Sequence, residues 1–180
     1  MRHAQSAHLL LVAACLGACV GCTSPPQETQ DSTSPVVTSV VDGDTVVVRF
    51  APGVEETVRL LGIDTPETVD PSRPIQCFGA EASSHLRRLL PPNTPIRLER
   101  DVEARDHFGR LLAYIYRERD DLFVNLDLVR HGLADVSFYE PNTTYRGEFD
   151  TSLITARTQS LGLWSACGGP DVPLDPEARS

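Results

Sequence analysis

The sequence predicts an α+β domain: a five-stranded β-barrel with one helix between strands three and four and two more helices toward the C-terminus. Three observations carry this prediction. β-Branched runs separated by turn residues fill positions 36–63, the apolar period becomes helical from Gly79, and two more strand patterns follow before helical spacing returns.

The first two strands occupy residues 36–41 and 45–50, on either side of the turn Asp42-Gly43-Asp44. Ala51-Pro52-Gly53 turns the chain again, and residues 56–63 form a third strand, giving an antiparallel meander. In residues 79–90, Ala82, Leu86, Leu89 and Leu90 fall at helical spacing, and Pro91-Pro92-Asn93 stops the helix. Strands return at residues 95–100 and 111–117, joined by a polar loop. Residues 124–131 make a short helix that Gly132 ends. A last helix spans about residues 144–160, burying Phe149, Leu153 and Ala156, and Trp164 follows as a packing residue. Three strands, a helix and two strands is the order of an OB-type barrel, whose loop between strands four and five helps bind oligonucleotides.

The flanks read differently. A basic start and an apolar run from Leu9 to Gly21 make residues 1–22 a secretory signal, too short to span a membrane. Leu16-Gly17-Ala18-Cys19 resembles a lipobox with Cys19 as lipid acceptor; Cys22 is the alternative, and a simple cleaved signal competes with both. The expected destination is therefore the cell envelope as a lipoprotein, or alternatively secretion. Residues 23–34 read as a flexible tether, residues 35–167 as the folded domain and residues 168–180 as a disordered tail. Cys77 and Cys167 remain, and in an exported chain an even pair reads as a disulfide. Two free thiols or a metal pair are the alternatives, and the metal pair lacks supporting histidine spacing.

The chain of 180 residues carries a net charge of −9, and its 16 basic residues are all arginine. Positions 35–167 hold 14 arginines against 20 acids, still −6. Long-range attraction to a polyanion is therefore weak, so nucleic-acid binding needs a local arginine cluster or a metal.

Pairing Phe50 with residues 55–56 makes partner numbers in the second hairpin sum to about 105–106, which sets Asp44 opposite residues 61–62 and near Asp64. Two adjacent carboxylates repel unless they share a proton or a cation, and hard oxygen donors suit calcium or magnesium. The competing reading makes Asp42 and Asp44 turn residues and Asp64 a loop cap. Arg59 interrupts an apolar strand, where an unpaired charge is costly. Strand parity sets it on the face opposite Asp64 unless the Asp64-Thr65-Pro66 turn re-aims the carboxylate. Arg110 ends the loop between strands four and five, and Glu67 is placed to activate water if it lies beside a metal. Salt bridges and a surface position are the plainer readings of these residues.

Asp42-Gly43-Asp44-Thr45, the run from Arg59 to Glu67 (RLLGIDTPE) and the run from Asp106 to Tyr114 (DHFGRLLAY) together resemble the staphylococcal nuclease (thermonuclease) family. The resemblance extends over about residues 36–165. It implies calcium held by Asp44, Asp64 and the main-chain carbonyl of Thr65, with Asp42 as a supporting carboxylate. It further implies catalytic roles for Arg59, Glu67 and Arg110, and hydrolysis of DNA and RNA to 3′-phosphate ends by a monomer. Two pairs of residues depart from the pattern of the family's reference member. His107-Phe108 replaces Lys-Tyr in a terminal-phosphate contact, and Phe138 and Tyr139 replace two tyrosines that stack on bases. Stacking persists on Phe and Tyr. A non-catalytic barrel or a structural lipoprotein are the rival readings, disfavoured because Arg59, Glu67 and Arg110 are all present.

Overall fold

The computed structural model describes residues 34–174. The signal, Cys19, Cys22 and nearly all of the tether lie outside the described residues.

Strands β1 (Val36–Val40), β2 (Thr45–Ala51) and β3 (Val54–Leu60) form the meander, and β5 (Thr94–Glu99) and β6 (Leu111–Arg117) complete the barrel. The order is β3-β2-β1-β5-β6, and parallel pairing of β3 with β6 closes the ring. β-Branched residues drive this arrangement: Val37, Val46, Val48, Val58 and Ile96 are fully buried inside it. Helix α1 (Gly79–Leu89) covers one end, inserting Ala82, Leu86 and, at its cap, Leu90, before the two prolines end it.

Three features differ from the sequence-based expectation. The meander register sums to 104 along most of its length (Thr45↔Arg59, Val46↔Val58), because the ladder shifts between Arg49 and Ala51 beside the turn. The third strand also ends at Leu60. Gly62 has φ +79°, a conformation that side chains strain to adopt. It turns the chain out of the barrel into β4 (Gly62–Asp64), which pairs with β8 (Asp135–Ser137). Finally, helices α2 (Val124–Arg130) and α3 (Arg146–Thr158) are followed by a third C-terminal helix, α4 (Leu163–Ala166), and a two-residue strand β7 (Leu122–Phe123) extends β6. The buried Phe149 of α3 anchors a cluster with Tyr114, Phe123 and Phe138, which seats this helix on the barrel.

The break after Leu60 needs its backbone groups satisfied, and one buried side chain does much of this. Asn125, fully buried in α2, donates from Nδ2 to the carbonyls of Leu61 (2.9 Å) and Ala113 (3.3 Å). Its Oδ1 accepts the amide of Ile115 at 2.9 Å. Asn125→Ala strands the Leu61 carbonyl and the Ile115 amide, while the Ala113 carbonyl keeps the Leu61 amide at 3.0 Å, at roughly 1–3 kcal/mol for each group left unpaired. The expected loss is about 3 kcal/mol of unfolding free energy, read from the denaturant midpoint; a loss under about 0.5 kcal/mol, the usual scale of surface substitutions, contradicts this role.

The C-terminal segment is not a loose tail over its described length. Cys77 and Cys167 are joined in a disulfide, and the chain beyond it lies back along residues 75–77. The Cys77 amide donates to the Val172 carbonyl at 2.8 Å, and the Leu174 amide to the Ile75 carbonyl at 2.8 Å. Backbone pairing gives residues 168–174 a place that their Gly- and Pro-rich composition does not signal.

Candidate functional site

The turn before β2 and the turn after β4 meet at the mouth of the barrel. A Cβ on Gly43 would lie 2.6 Å from Thr65 Oγ1, so only glycine lets these turns approach so closely. Asp44 is buried between them. Its Oδ2 accepts the amide (3.0 Å) and hydroxyl (3.1 Å) of Thr65, and its Oδ1 accepts the hydroxyl of Thr45 at 3.0 Å. Asp42 Oδ1 accepts the Asp44 amide at 3.1 Å, supporting the same turn.

Arg59 reaches this cluster because the chain breaks at Leu61 and Gly62; strand parity therefore does not separate it from Asp64. Its Nη2 lies 3.0 Å from Asp64 Oδ1 and 3.2 Å from Asp44 Oδ2. Its Nη1 donates to the carbonyls of Leu60 (2.8 Å) and Ile63 (2.9 Å), clasping the break shut. Three carboxylates thus crowd one guanidinium. Burial, then the adjacent charge of Asp44, push the Asp42 carboxyl up to about 6. Partial burial raises the Asp64 carboxyl above its ordinary value, Arg59 offsets part of this and the charge of Asp44 adds to it, although half the side chain meets solvent.

The main cleft, about 650 Å³, is lined by Arg59, Arg110, His107, Phe108 and Tyr139. Arg110 is held by Asp106: its Nε donates to Oδ2 at 2.7 Å, while Oδ1 accepts the amides of Arg110 (2.9 Å) and Phe108 (3.0 Å). Its two terminal nitrogens have no hydrogen-bond partner among the described residues. Phe108 and Tyr139 are 72% and 77% exposed, an open surface for a planar ligand. Phe138 does not join them. Its ring packs over the Gly62 backbone and against Phe149, and Arg146 covers it at 4.8 Å, so its apolar area is used within the fold.

Asp64 and Thr65 line a smaller adjoining hollow with Gln76, Asp135 and Asp171, and Ser137 borders both cavities. Glu67 follows on the same loop. Its Oε1 accepts the amides of Thr68 (2.8 Å), Val69 (2.7 Å) and Asp70 (3.0 Å), while its Oε2 has no hydrogen-bond partner among the described residues. Partial burial raises its pKa, but the three amides outweigh that and hold it below the ordinary glutamate value. The buried Gln76 fixes the Glu67 backbone, accepting its amide at 2.6 Å and donating its own amide to the carbonyl at 2.9 Å. Gln76 Nε2 in turn donates to Asp171 Oδ1 at 2.9 Å.

Sequence reasoning missed Asp106, Gln76, Asp135 and Asp171. The i, i+4 spacing of Asp106 and Arg110 was a usable signal for the first. The others act through tertiary contacts that leave no local pattern.

A family model described as staphylococcal nuclease homologue matches residues 57–166. The chain is 41% identical to the thermonuclease of Staphylococcus intermedius and 38% identical to that of Staphylococcus hyicus, in each case over 72% of this chain and 74% of the relative. It is 40% identical to endonuclease YncB of Bacillus subtilis, over 71% of this chain and 60% of that protein. Fold, cleft and relatives together define the class: an OB-barrel nuclease, a phosphodiesterase. Within that class, the chain belongs to the staphylococcal nuclease family.

Proposed function

We propose that the chain is an exported, calcium-dependent nuclease that hydrolyses phosphodiester bonds in DNA and RNA to 3′-phosphate products. The observation that carries this reading is the convergence of Asp44, Asp64 and Arg59 beside the cleft that holds Arg110. The donor set fits a hard dication. Every donor is oxygen, the crowded carboxylates exceed the one guanidinium that pairs with them, and the Thr65 carbonyl receives no hydrogen bond among the described residues. Asp44, Asp64 and the Thr65 carbonyl would hold the ion, with Asp42 in support, and the ion would supply charge neutralisation at a phosphate oxygen.

The protein's own groups do the rest. Glu67, fixed through Oε1 and ionised at neutral pH, offers Oε2 to take a proton from an attacking water. Arg110 offers two nitrogens, unpaired among the described residues, on a guanidinium that stays charged, matched to the oxygens on which negative charge builds during attack. Arg59 lines the same cleft and adds the second positive charge there. His107, Phe108 and Tyr139 supply the surface on which bases and sugar–phosphate lie. The N-terminal signal supports export, with Cys19 or alternatively Cys22 as lipid acceptor anchoring a monomer to the membrane.

The test is digestion of plasmid DNA and of RNA with added calcium and then with excess chelator, applied to culture medium, envelope and cytoplasmic fractions. Calcium-dependent cutting that leaves 3′-phosphate ends, in envelope or medium, is expected. Cutting that survives chelation contradicts the metal requirement, and activity confined to the cytoplasm contradicts export.

A further inference from the structure

On another face of the molecule, α1 and α2 meet at three side chains that the cleft chemistry does not use. His85 lies on α1, while Asp127 and His131 lie one turn apart on α2 and at its cap, so they share a face. His85 Nε2 is 2.9 Å from Asp127 Oδ2, and His131 Nδ1 is 3.3 Å from the same oxygen. One donor atom from each of the three lies within 4.8 Å of the others, and none of the three residues lines the main cleft.

We propose that His85, Asp127 and His131 bind a zinc-class divalent metal that clamps α1 to α2. Two imidazole nitrogens with one carboxylate oxygen suit zinc, copper or nickel and are a poor set for calcium, which takes oxygen ligands. Tetrahedral zinc with bonds of about 2.1 Å sets neighbouring donors about 3.4 Å apart. The two contacts to Asp127 are already close to that spacing and all three donors lie within 4.8 Å, so small side-chain adjustments admit the ion. His85 and Asp127 are mostly buried, whereas the His131 side chain is 57% exposed and provides the way in. Three protein ligands leave a fourth position for water.

Without metal, the ring protons face Asp127. Asp127 Oδ2 accepts from His85 Nε2, and the Asp127 carbonyl accepts from His131 Nδ1 at 2.8 Å. A ligating nitrogen must present a lone pair, so binding moves each ring's proton to the other nitrogen. For His85 that nitrogen is Nδ1, which now faces Arg88 Nη2 at 3.3 Å. A guanidinium only donates, so Arg88 opposes the ligating tautomer, and its exposed side chain must swing aside. Arg88 therefore weakens the site it borders.

The proposal is tested by titrating zinc into the full chain with calcium in excess, following histidine ring nitrogens by long-range 1H–15N spectra and affinity by calorimetry. The His85 and His131 rings are expected to shift together as a 1:1 complex forms. His131→Ala, at an exposed position, weakens that binding roughly tenfold or more, on the scale of losing a metal-site contact. Arg88→Ala tightens it several-fold, and Asp44→Ala leaves it unchanged. Unshifted His85 and His131 rings at saturating zinc, or a zinc affinity that follows Asp44→Ala and ignores His131→Ala, overturn the proposal.

Discussion

Arg110→Ala is expected to lower turnover on DNA by about 10²–10³-fold, the scale of about 3–4 kcal/mol set by one strong electrostatic donor in a transition state. Arg110 is braced by Asp106 through Nε, so the guanidinium is oriented before any ligand arrives, and its two terminal nitrogens have no partner among the described residues. On the proposed reading, binding of the uncleaved strand draws on Arg59 and the aromatic surface as well, which line the cleft and survive the substitution. The loss should therefore fall on kcat, with KM changed little. Arg110→Lys should recover only part of the rate, because an ammonium keeps the charge but loses the planar fork. Turnover within threefold of the parent in Arg110→Ala contradicts the assignment.

Removing the Cys77–Cys167 disulfide is expected to produce the largest loss of stability. It joins residues 90 apart, and constraint of the unfolded chain by a loop of that size is worth about 4–5 kcal/mol in chain-entropy models. A second consequence separates this link from a simple staple. The bonded cysteines hold residues 168–174 against residues 75–77, and Gln76 joins Asp171 on one side to the Glu67 backbone on the other. The double variant Cys77→Ser with Cys167→Ser should thus unfold at a lower denaturant midpoint and also lose turnover several-fold where it remains folded. An unchanged midpoint contradicts the first expectation; a lower midpoint with full turnover contradicts the second.

Much of the barrel was legible because β-branched runs and turn residues are local signals. The runs containing Val46, Val48 and Val58 could be read directly, as could the helix of Ala82 and Leu86 stopped by paired prolines. The register of the second hairpin was less accessible, since the shift between Arg49 and Ala51 depends on how the turn closes. The break at Gly62 was hidden by an apolar run, Leu60 to Ile63, that reads as continuous strand. That break decides the site: without it, parity sends Arg59 and Asp64 to opposite faces, and with it they lie 3.0 Å apart. The partner of β4 is only three residues long, too short to show a period. Phe138 misled because an aromatic residue beside an exposed tyrosine looks alike whether it stacks on a base or packs on a glycine.

The central claim is that Asp44 and Asp64, brought together by that break, hold the cation on which hydrolysis depends. The most direct measurement is the calcium dependence of DNA cleavage in the parent and in Asp44→Asn, at saturating substrate. Asp44→Asn is expected to need at least tenfold more calcium for half-maximal activity, or to show none, as follows from removing a charged ligand. A calcium dependence identical to that of the parent would place the ion elsewhere and contradict this account.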